Sequence, residues 1–237
     1  MPRLGFVAAL LPEAACLPLR HQQPERLLPL DSSTTLYISG IGAERAEQAV
    51  DKLIAHGCDR IISWGTAAGL GKGLLPGDVI LPEVVLSSGQ TRYETDPGWH
   101  RCTLQQLQGC PGAIHTGPLA ETGKILGIPA EKRVLQERSR AQAADMESAA
   151  IADRTARHGI PFLTVRVIVD SVEMVLPEGI TAFTGCYGEL LPWRLLDSLA
   201  RNPRQLPALL RLGLGFRSAT STLKWIGTRY RQLLRNE

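Results

Sequence analysis

The stretch Pro161-Phe162-Leu163-Thr164-Val165-Arg166-Val167-Ile168-Val169-Asp170 decides the fold class of this 237-residue chain. Residues 161–169 are rich in β-branched side chains and contain a single charge, a pattern that predicts a buried strand. A helix is predicted directly before it, over Met146–His158, and Gly159 marks the end of that helix. A strand that follows a helix in this way favours an α/β domain.

The same alternation continues towards the N terminus. Apolar runs that predict further strands cover Leu4–Ala9, Thr35–Ser39, Arg60–Trp64, Val79–Leu86 and a short Ala113–His115. Apolar residues at helical spacing predict a helix after the second run, ended by Gly57, and residues 87–112 are predicted to be rich in loops. We therefore expect a largely parallel sheet, with ligands beyond the carboxyl ends of its strands.

Composition excludes several classes of protein. The chain is 44% hydrophobic and 21% charged, which is ordinary for a globular protein and argues against disorder. No apolar run approaches the roughly 20 residues of a membrane-spanning helix, and the apolar start is interpreted as a core strand with no export signal. Five scattered cysteines without a CxxC pair, and histidines without ligand spacing, predict neither a disulfide framework nor a metal site. A reducing cytoplasm is the expected compartment.

Charge is unevenly distributed along the chain. Residues 191–237 hold nine Lys and Arg against two acidic residues, a net charge of +7, whereas the remainder carries −4. We predict a catalytic domain over residues 1–185 and a basic, amphipathic helical extension over 186–237. Such a tail favours an anionic partner, either nucleic acid or an anionic membrane surface.

The tail also has three apolar stripes, which we expect to be separated by Pro203 and by Gly213 and Gly215. They consist of Trp193, Leu196, Leu199 and Ala200; of Leu206, Leu209 and Leu210; and of Leu223, Ile226, Tyr230, Leu233 and Leu234. Basic amphipathic helices with aromatic anchors often lie in the membrane interface. The alternative is that these stripes pack on the domain or across a dimer.

Two glycine-rich turns and three acids are candidate site residues. Gly40-Ile41-Gly42 and Gly65-Thr66-Ala67-Ala68-Gly69 each follow a predicted strand, where they could cradle a phosphate or simply form tight turns. Glu13, Glu147 and Asp170 lie at a helix start or a strand end, where an acid is either a cap or a catalytic group.

Taken in order, these segments resemble the nucleoside phosphorylase/nucleosidase superfamily over residues 3–180. Its most specific part is Asp145-Met146-Glu147-Ser148, followed by Arg166 and Asp170. Residues 63–70 and 76–82 are most similar to the hopanoid-associated phosphorylases, which release adenine from adenosylhopane. The resemblance implies a single-domain α/β sandwich around a mixed, barrel-like sheet.

The resemblance also implies roles for individual residues. Asp170 would protonate the purine N7, Glu147 would bind the ribose 2′- and 3′-hydroxyls, and Glu13 would activate water in the hydrolytic branch. The implied substrate-binding residues are Met146 against the sugar, Gly65 and Thr66 at the phosphate or attacking water, and Arg166 as a brace. Gly42 of the glycine turn is a further candidate. The arginine that precedes the phosphate turn in hexameric phosphorylases is missing here, where Ser63 stands near its place, and Arg45 is the candidate substitute phosphate ligand.

We accordingly expect an enzyme that releases adenine from a lipid-linked nucleoside by phosphorolysis. Inorganic phosphate would be the co-substrate, with no other cofactor. The protein would be a cytoplasmic homo-oligomer that touches the anionic inner face of the membrane and binds no nucleic acid. One alternative is a hydrolytic nucleosidase for methylthioadenosine, adenosylhomocysteine or futalosine, because Glu13 favours water while the hopanoid resemblance favours phosphate. Another is a non-catalytic nucleotide or lipid binding protein, against which the intact Glu147 and Asp170 argue.

Overall fold

The computed structural model describes residues 3–19, 21–189 and 191–232. Its strands are β1 (Leu4–Ala8), β2 (Leu27–Pro29), β3 (Thr34–Ile38), β4 (Arg60–Gly69), β5 (Val79–Ile80), β6 (Val84–Leu86), β7 (Arg92–Glu94), β8 (Ile114–His115), β9 (Leu119–Glu121), β10 (Ala143–Asp145) and β11 (Phe162–Asp170). Its helices are α1 (Leu11–Ala14), α2 (Ala43–Ala55), α3 (Pro97–Gln106), α4 (Pro129–Ser139), α5 (Ser148–Arg157), α6 (Ile180–Phe183), α7 (Pro192–Arg201) and α8 (Leu206–Gly227), with a 3-10 turn over Pro203–Gln205.

The strands form one mixed sheet around the long strand β4. Strands β1 and β11 both pair with β4 in parallel, whereas β10 pairs with its far end in the antiparallel direction. Strand β11 also pairs with β5, so the sheet branches at β4 and β11 instead of remaining a flat ribbon. This mixed, centrally branched sheet confirms the predicted α/β architecture.

Strand β11 is buried on both faces, as its sequence predicts. Its odd-numbered residues, such as Val165 and Val167, pack in an apolar cluster that also contains Leu223 and Ile226 of α8. Phe162 and Ile168, at even positions, pack with residues of α2 and α5. Helices on both faces therefore sandwich the sheet, and the carboxyl ends of its parallel strands point towards one edge.

Two predictions of secondary structure are wrong. Residues 65–69, predicted to form a glycine-rich turn after the third strand, are the second half of β4 itself. The run Val79–Leu86 is divided into β5 and β6, because Pro82 lacks the N–H that a continuous ladder needs. The segment 87–112, predicted to be rich in loops, also contains β7 and α3. Helix α3 starts at Asp96-Pro97, where the Asp96 carboxylate accepts a hydrogen bond from the Trp99 N–H at 2.7 Å, an ordinary capping signal.

The tail is helical, but its division differs from the prediction. Pro203 lies between α7 and α8, whereas α8 runs unbroken through Gly213 and Gly215. A Cβ at Gly215 would overlap the carbonyl oxygen of Val169, so this glycine allows the helix to approach β11 closely. Packing compensates for the low helix propensity of glycine here. The predicted boundary between residues 185 and 186 stays a prediction.

The three apolar stripes of the tail have different environments. Leu223, Ile226 and Tyr230 are buried in the domain core, which is the packed alternative; Leu233 and Leu234 lie outside the described residues. Large apolar side chains of the first two stripes, together with Leu214, are exposed, namely Trp193, Leu196, Leu206, Leu210 and Leu214. Among the described residues, no helix has the length and apolar content needed to cross a bilayer.

Candidate active site

The parallel strands β1, β4 and β11 bring most of the predicted site residues to one edge of the sheet. Glu13 lies in α1 just after β1, Gly65 and Thr66 lie in β4, and Arg166 pairs with Gly65 in the register of β11 against β4. A Cβ at Gly65 would overlap the Arg166 guanidinium and lie 2.7 Å from the Glu13 carboxylate. The glycine therefore allows these two charged side chains to meet over β4.

The Glu13 carboxylate is held by hydrogen bonds from the backbone and from a hydroxyl. Its Oε1 accepts from the Thr66 N–H and the Thr66 hydroxyl, both at 2.7 Å, and its Oε2 accepts from the Leu10 N–H at 3.0 Å. Burial raises the pKa of Glu13, and this effect is opposed by the Arg166 charge and the Thr66 hydrogen bonds. Both Thr66 donors that were predicted to hold phosphate or water are thus directed at Glu13.

Arg166 lies between Ser63 of β4 and the acids Asp145 and Glu147. The side chain is buried, with its Nε 2.7 Å from Asp145 Oδ2 and one Nη2 N–H donating to Ser63 Oγ at 2.8 Å. The same Nη2 lies 3.8 Å from Glu147 Oε2. A guanidinium with this many fixed partners is oriented rigidly, and the bracing role of Arg166 stays a prediction.

Glu147 occupies the N-cap position of α5, but its side chain does not cap that helix. Instead, its Oε1 accepts a hydrogen bond from the Gly42 N–H at 3.0 Å, 105 positions away in the sequence. Burial, only partly offset by Arg166, raises the pKa of Glu147 to about 7. The alternative of a solvated helix-start acid does not describe this residue, because its side chain is buried in a site assembled from three segments.

Asp170 ends β11 as predicted, and its carboxylate is paired with a lysine that no sequence pattern singled out. Lys132 of α4 donates to Asp170 Oδ2 in a buried ion pair. Burial raises the pKa of Asp170, and Lys132 opposes that rise. The strand register places Asp170 four residues beyond Arg166, or about 13 Å along an extended strand.

The remaining predicted residues divide into two groups. Met146, between buried Asp145 and Glu147, is partly exposed, so it remains available to a ligand at this edge. Arg45 lies apart: its guanidinium forms an ion pair with Glu25 at 3.5 Å and donates to the Tyr187 hydroxyl at 3.3 Å. In the described part of the chain, no hydrogen bond joins Arg45 to the acids of the site, and its role as a phosphate ligand stays a prediction.

Sequence reasoning did not assign roles to Lys132, Asp145, Ser63 and Ser148. The Ser63 and Ser148 hydroxyls lie 2.9 Å apart beside Arg166, and the Ser148 hydroxyl also donates to Asp145. Asp145 and Ser148 do belong to the Asp145–Ser148 segment that carries the resemblance, so that segment was a signal for them. Lys132 had no such signal, because it lies on a helix whose other side chains are largely solvent-facing.

A family model described as Phosphorylase superfamily matches residues 32–178, more than half of the chain. The chain belongs to the Phosphorylase superfamily. Membership confirms the predicted superfamily and the prediction of an enzyme that acts on the N-glycosidic bond of purine nucleosides.

Individual relatives are distant but cover most of this superfamily member. A 5′-methylthioadenosine/S-adenosylhomocysteine nucleosidase from Shewanella oneidensis is 24% identical, with 84% of this chain and 98% of the relative covered. The crystal structure of the Neisseria meningitidis nucleosidase of that name, in complex with methylthio-immucillin-A, matches with a TM-score of 0.73 at 17% identity, covering all of both chains. Futalosine hydrolase of Helicobacter pylori matches with a TM-score of 0.69 at 14% identity, covering 98% and 97%. At these identities the structural matches establish the fold alone.

Proposed function

We propose that this enzyme releases adenine from a nucleoside by cleaving the bond between C1′ of the ribose and N9 of the base. The observation that carries this proposal is the placement of two buried carboxyl groups on one sheet edge: Glu147, held by the Gly42 N–H, and Asp170 at the end of β11. Glu147 would grip the ribose hydroxyls, and Asp170, farther along β11, would lie at the base.

The reaction explains why both groups need to be buried. Cleavage builds positive charge on the ribose and negative charge on the purine, so an acid at the purine and a carboxylate at the sugar both favour the transition state. A general acid contributes about 10²–10⁴-fold when its pKa approaches neutrality. Burial at the end of an apolar strand moves the pKa of Asp170 in that direction.

For the substrate, we propose adenosylhopane, with phosphate as the nucleophile. The similarity of residues 63–70 and 76–82 to the hopanoid-associated phosphorylases supports this choice. The exposed apolar residues of α7 and of the first half of α8, interspersed with arginines, also suit a substrate that must be drawn from a lipid phase.

A hydrolytic nucleosidase for methylthioadenosine, adenosylhomocysteine or futalosine is the second candidate, and one contact favours it. Both Thr66 donors are directed at Glu13, so an incoming phosphate would meet a carboxyl group where it needs donors. A buried carboxylate with a raised pKa is also a suitable base for taking a proton from water.

One assay separates these possibilities. The enzyme is incubated with adenosylhopane, methylthioadenosine or futalosine, each with and without phosphate, and the released base and the sugar product are identified. Ribosyl 1-phosphate formed only with phosphate supports phosphorolysis, and free sugar formed without phosphate supports hydrolysis. A protein that binds these nucleosides but releases no base would be a binding protein, contrary to the proposal.

The role of Asp170 is tested by Asp170→Asn, which keeps the shape of the side chain but removes its acidity. We expect adenine release to fall at least about 100-fold while the thermal unfolding transition remains cooperative. The control is Asp59→Asn, because Asp59 precedes β4 at the opposite end of the sheet. Turnover by Asp170→Asn close to that of the control would exclude Asp170 as the general acid.

A further inference from the structure

Lys132 is an unusual residue for the position that it occupies. Of the eleven residues of α4, all of them described, it alone is buried, and it is fully buried. A helix that covers a domain normally buries apolar side chains, and removing an ammonium group from water is costly unless that group is paired. Its burial therefore has to be explained by its partners.

Those partners satisfy the ammonium group completely. Lys132 Nζ donates to Asp170 Oδ2, to the Ser171 carbonyl oxygen at 2.7 Å and to the Met174 carbonyl oxygen at 3.2 Å. An ammonium has three N–H donors, so these three acceptors match the charged form. Only one oxygen of Asp170 is used: no hydrogen bond joins Oδ1 to any residue that the structure describes. Oδ1 is thus the oxygen available to a ligand.

We propose that Lys132 is a positioning residue for Asp170, one that fixes its Oδ2 and stabilises the negative charge that Asp170 acquires on giving its proton to the purine. This inference rests on the proposed function. In that step the Oδ1–H bond breaks and the N7–H bond forms, while the electrons of the C1′–N9 bond pass to the departing base. Asp170 becomes a carboxylate beside the Lys132 ammonium, so their attraction is stronger in the transition state than before it.

The test compares two leaving groups in Lys132→Gln, which keeps hydrogen-bond donors but removes the charge. Adenine needs a proton to depart, whereas the nitrophenolate of a 4-nitrophenyl β-riboside does not. We expect release of adenine to fall at least about tenfold and release of nitrophenolate to stay within about twofold of the wild type. The control is Lys124→Gln. Lys124 is largely exposed and is paired with Glu131, which lies on α4 like Lys132. Both rates should remain at their wild-type values in this control.

A parallel loss of both rates, or no loss of either, would overturn the inference, because Lys132 would then only tether residues 171–174 or do nothing for the acid. The variant Asp170→Asn/Lys132→Gln covers the case in which the single variant fails to fold, since removing both partners of a buried pair is tolerated better than removing one. It should release adenine as slowly as Asp170→Asn alone, and any further loss of either rate contradicts the inference. Wild-type protein that releases no adenine from any nucleoside would refute the proposed function itself.

Discussion

Glu147 is a residue for which the predicted function works against stability. Its pKa of about 7 means that the folded protein holds this proton more tightly than the unfolded chain, in which the usual value is 4.5. The unfolding free energy therefore falls as pH rises from about 4.5 to about 7, and above that range the full cost of a buried carboxylate is present. The neighbouring Arg166 reduces this cost but does not remove it.

We therefore expect Glu147→Gln to be more stable than the wild type at pH 8, by up to about 3 kcal/mol, and to lose that advantage towards pH 4.5. The measurement is urea unfolding at both pH values, with adenine release assayed in parallel. Adenine release should fall although stability rises, because the variant lacks the carboxylate proposed to bind the ribose hydroxyls. Glu137→Gln, at an exposed position of α4, is the control and should shift stability by less than about 0.5 kcal/mol. If Glu147→Gln is instead less stable than the wild type at pH 8, ionised Glu147 holds the fold together.

Helix α8 shows how a glycine can serve packing and not interrupt a helix. Gly213 and Gly215 are two residues apart on the same helix, but only a Cβ at Gly215 would overlap the backbone of β11. At Gly213, a Cβ would meet no atom of the described residues within 4 Å. The two positions are therefore a matched pair.

Gly215→Ala should destabilise the protein by about 1–3 kcal/mol, because α8 has to move away from Val169. Gly213→Ala should be neutral or stabilising by up to about 1 kcal/mol, since alanine is the better helix former. Thermal unfolding of both variants checks this prediction. Equal effects at the two positions would show that α8 does not approach β11 as closely as described.

These elements also show which parts of the molecule can be predicted from the sequence. The buried strand β11 and the acids at strand ends depend on local patterns, which the sequence displays directly. The Lys132–Asp170 pair depends on two segments 38 residues apart, and a lysine on a polar helix has the pattern of a surface residue. The continuity of α8 was also missed, since the contact that compensates for Gly215 is made by another element. Asp145 and Ser148 belong to a motif that the sequence shows, but their roles become apparent only when the structure shows that both contact Arg166.

The whole molecule presents one side of its tail to solvent with an unusual combination of side chains. Leu206, Leu210 and Leu214 follow one face of α8, and residues 212, 216 and 219 on the opposite side pack towards the core. Trp193 and Leu196 of α7 are exposed as well. Five arginines lie in this part of the chain, Arg194, Arg201, Arg204, Arg211 and Arg217. Apolar anchors with surrounding cations are the features that bind an anionic bilayer surface.

We expect the protein to co-sediment with vesicles containing anionic lipid at low salt and to be released as salt rises, because each basic residue near the surface adds about 1 kcal/mol. Deleting the tail is not a clean test, since Leu223 and Ile226 belong to the core. Replacing Trp193, Leu210 and Leu214 with serine removes the apolar anchors and spares those buried residues. This variant should lose vesicle binding but keep adenine release from a water-soluble nucleoside.

The control replaces Ile128 and Val134 with serine. These two exposed apolar residues lie at α4, away from the tail, and the control variant should bind vesicles like the wild type. If the variant with serine at 193, 210 and 214 still binds vesicles, this face of the tail does not contact lipid. A fall in the solution mass of that variant would then indicate that the face joins copies of the chain.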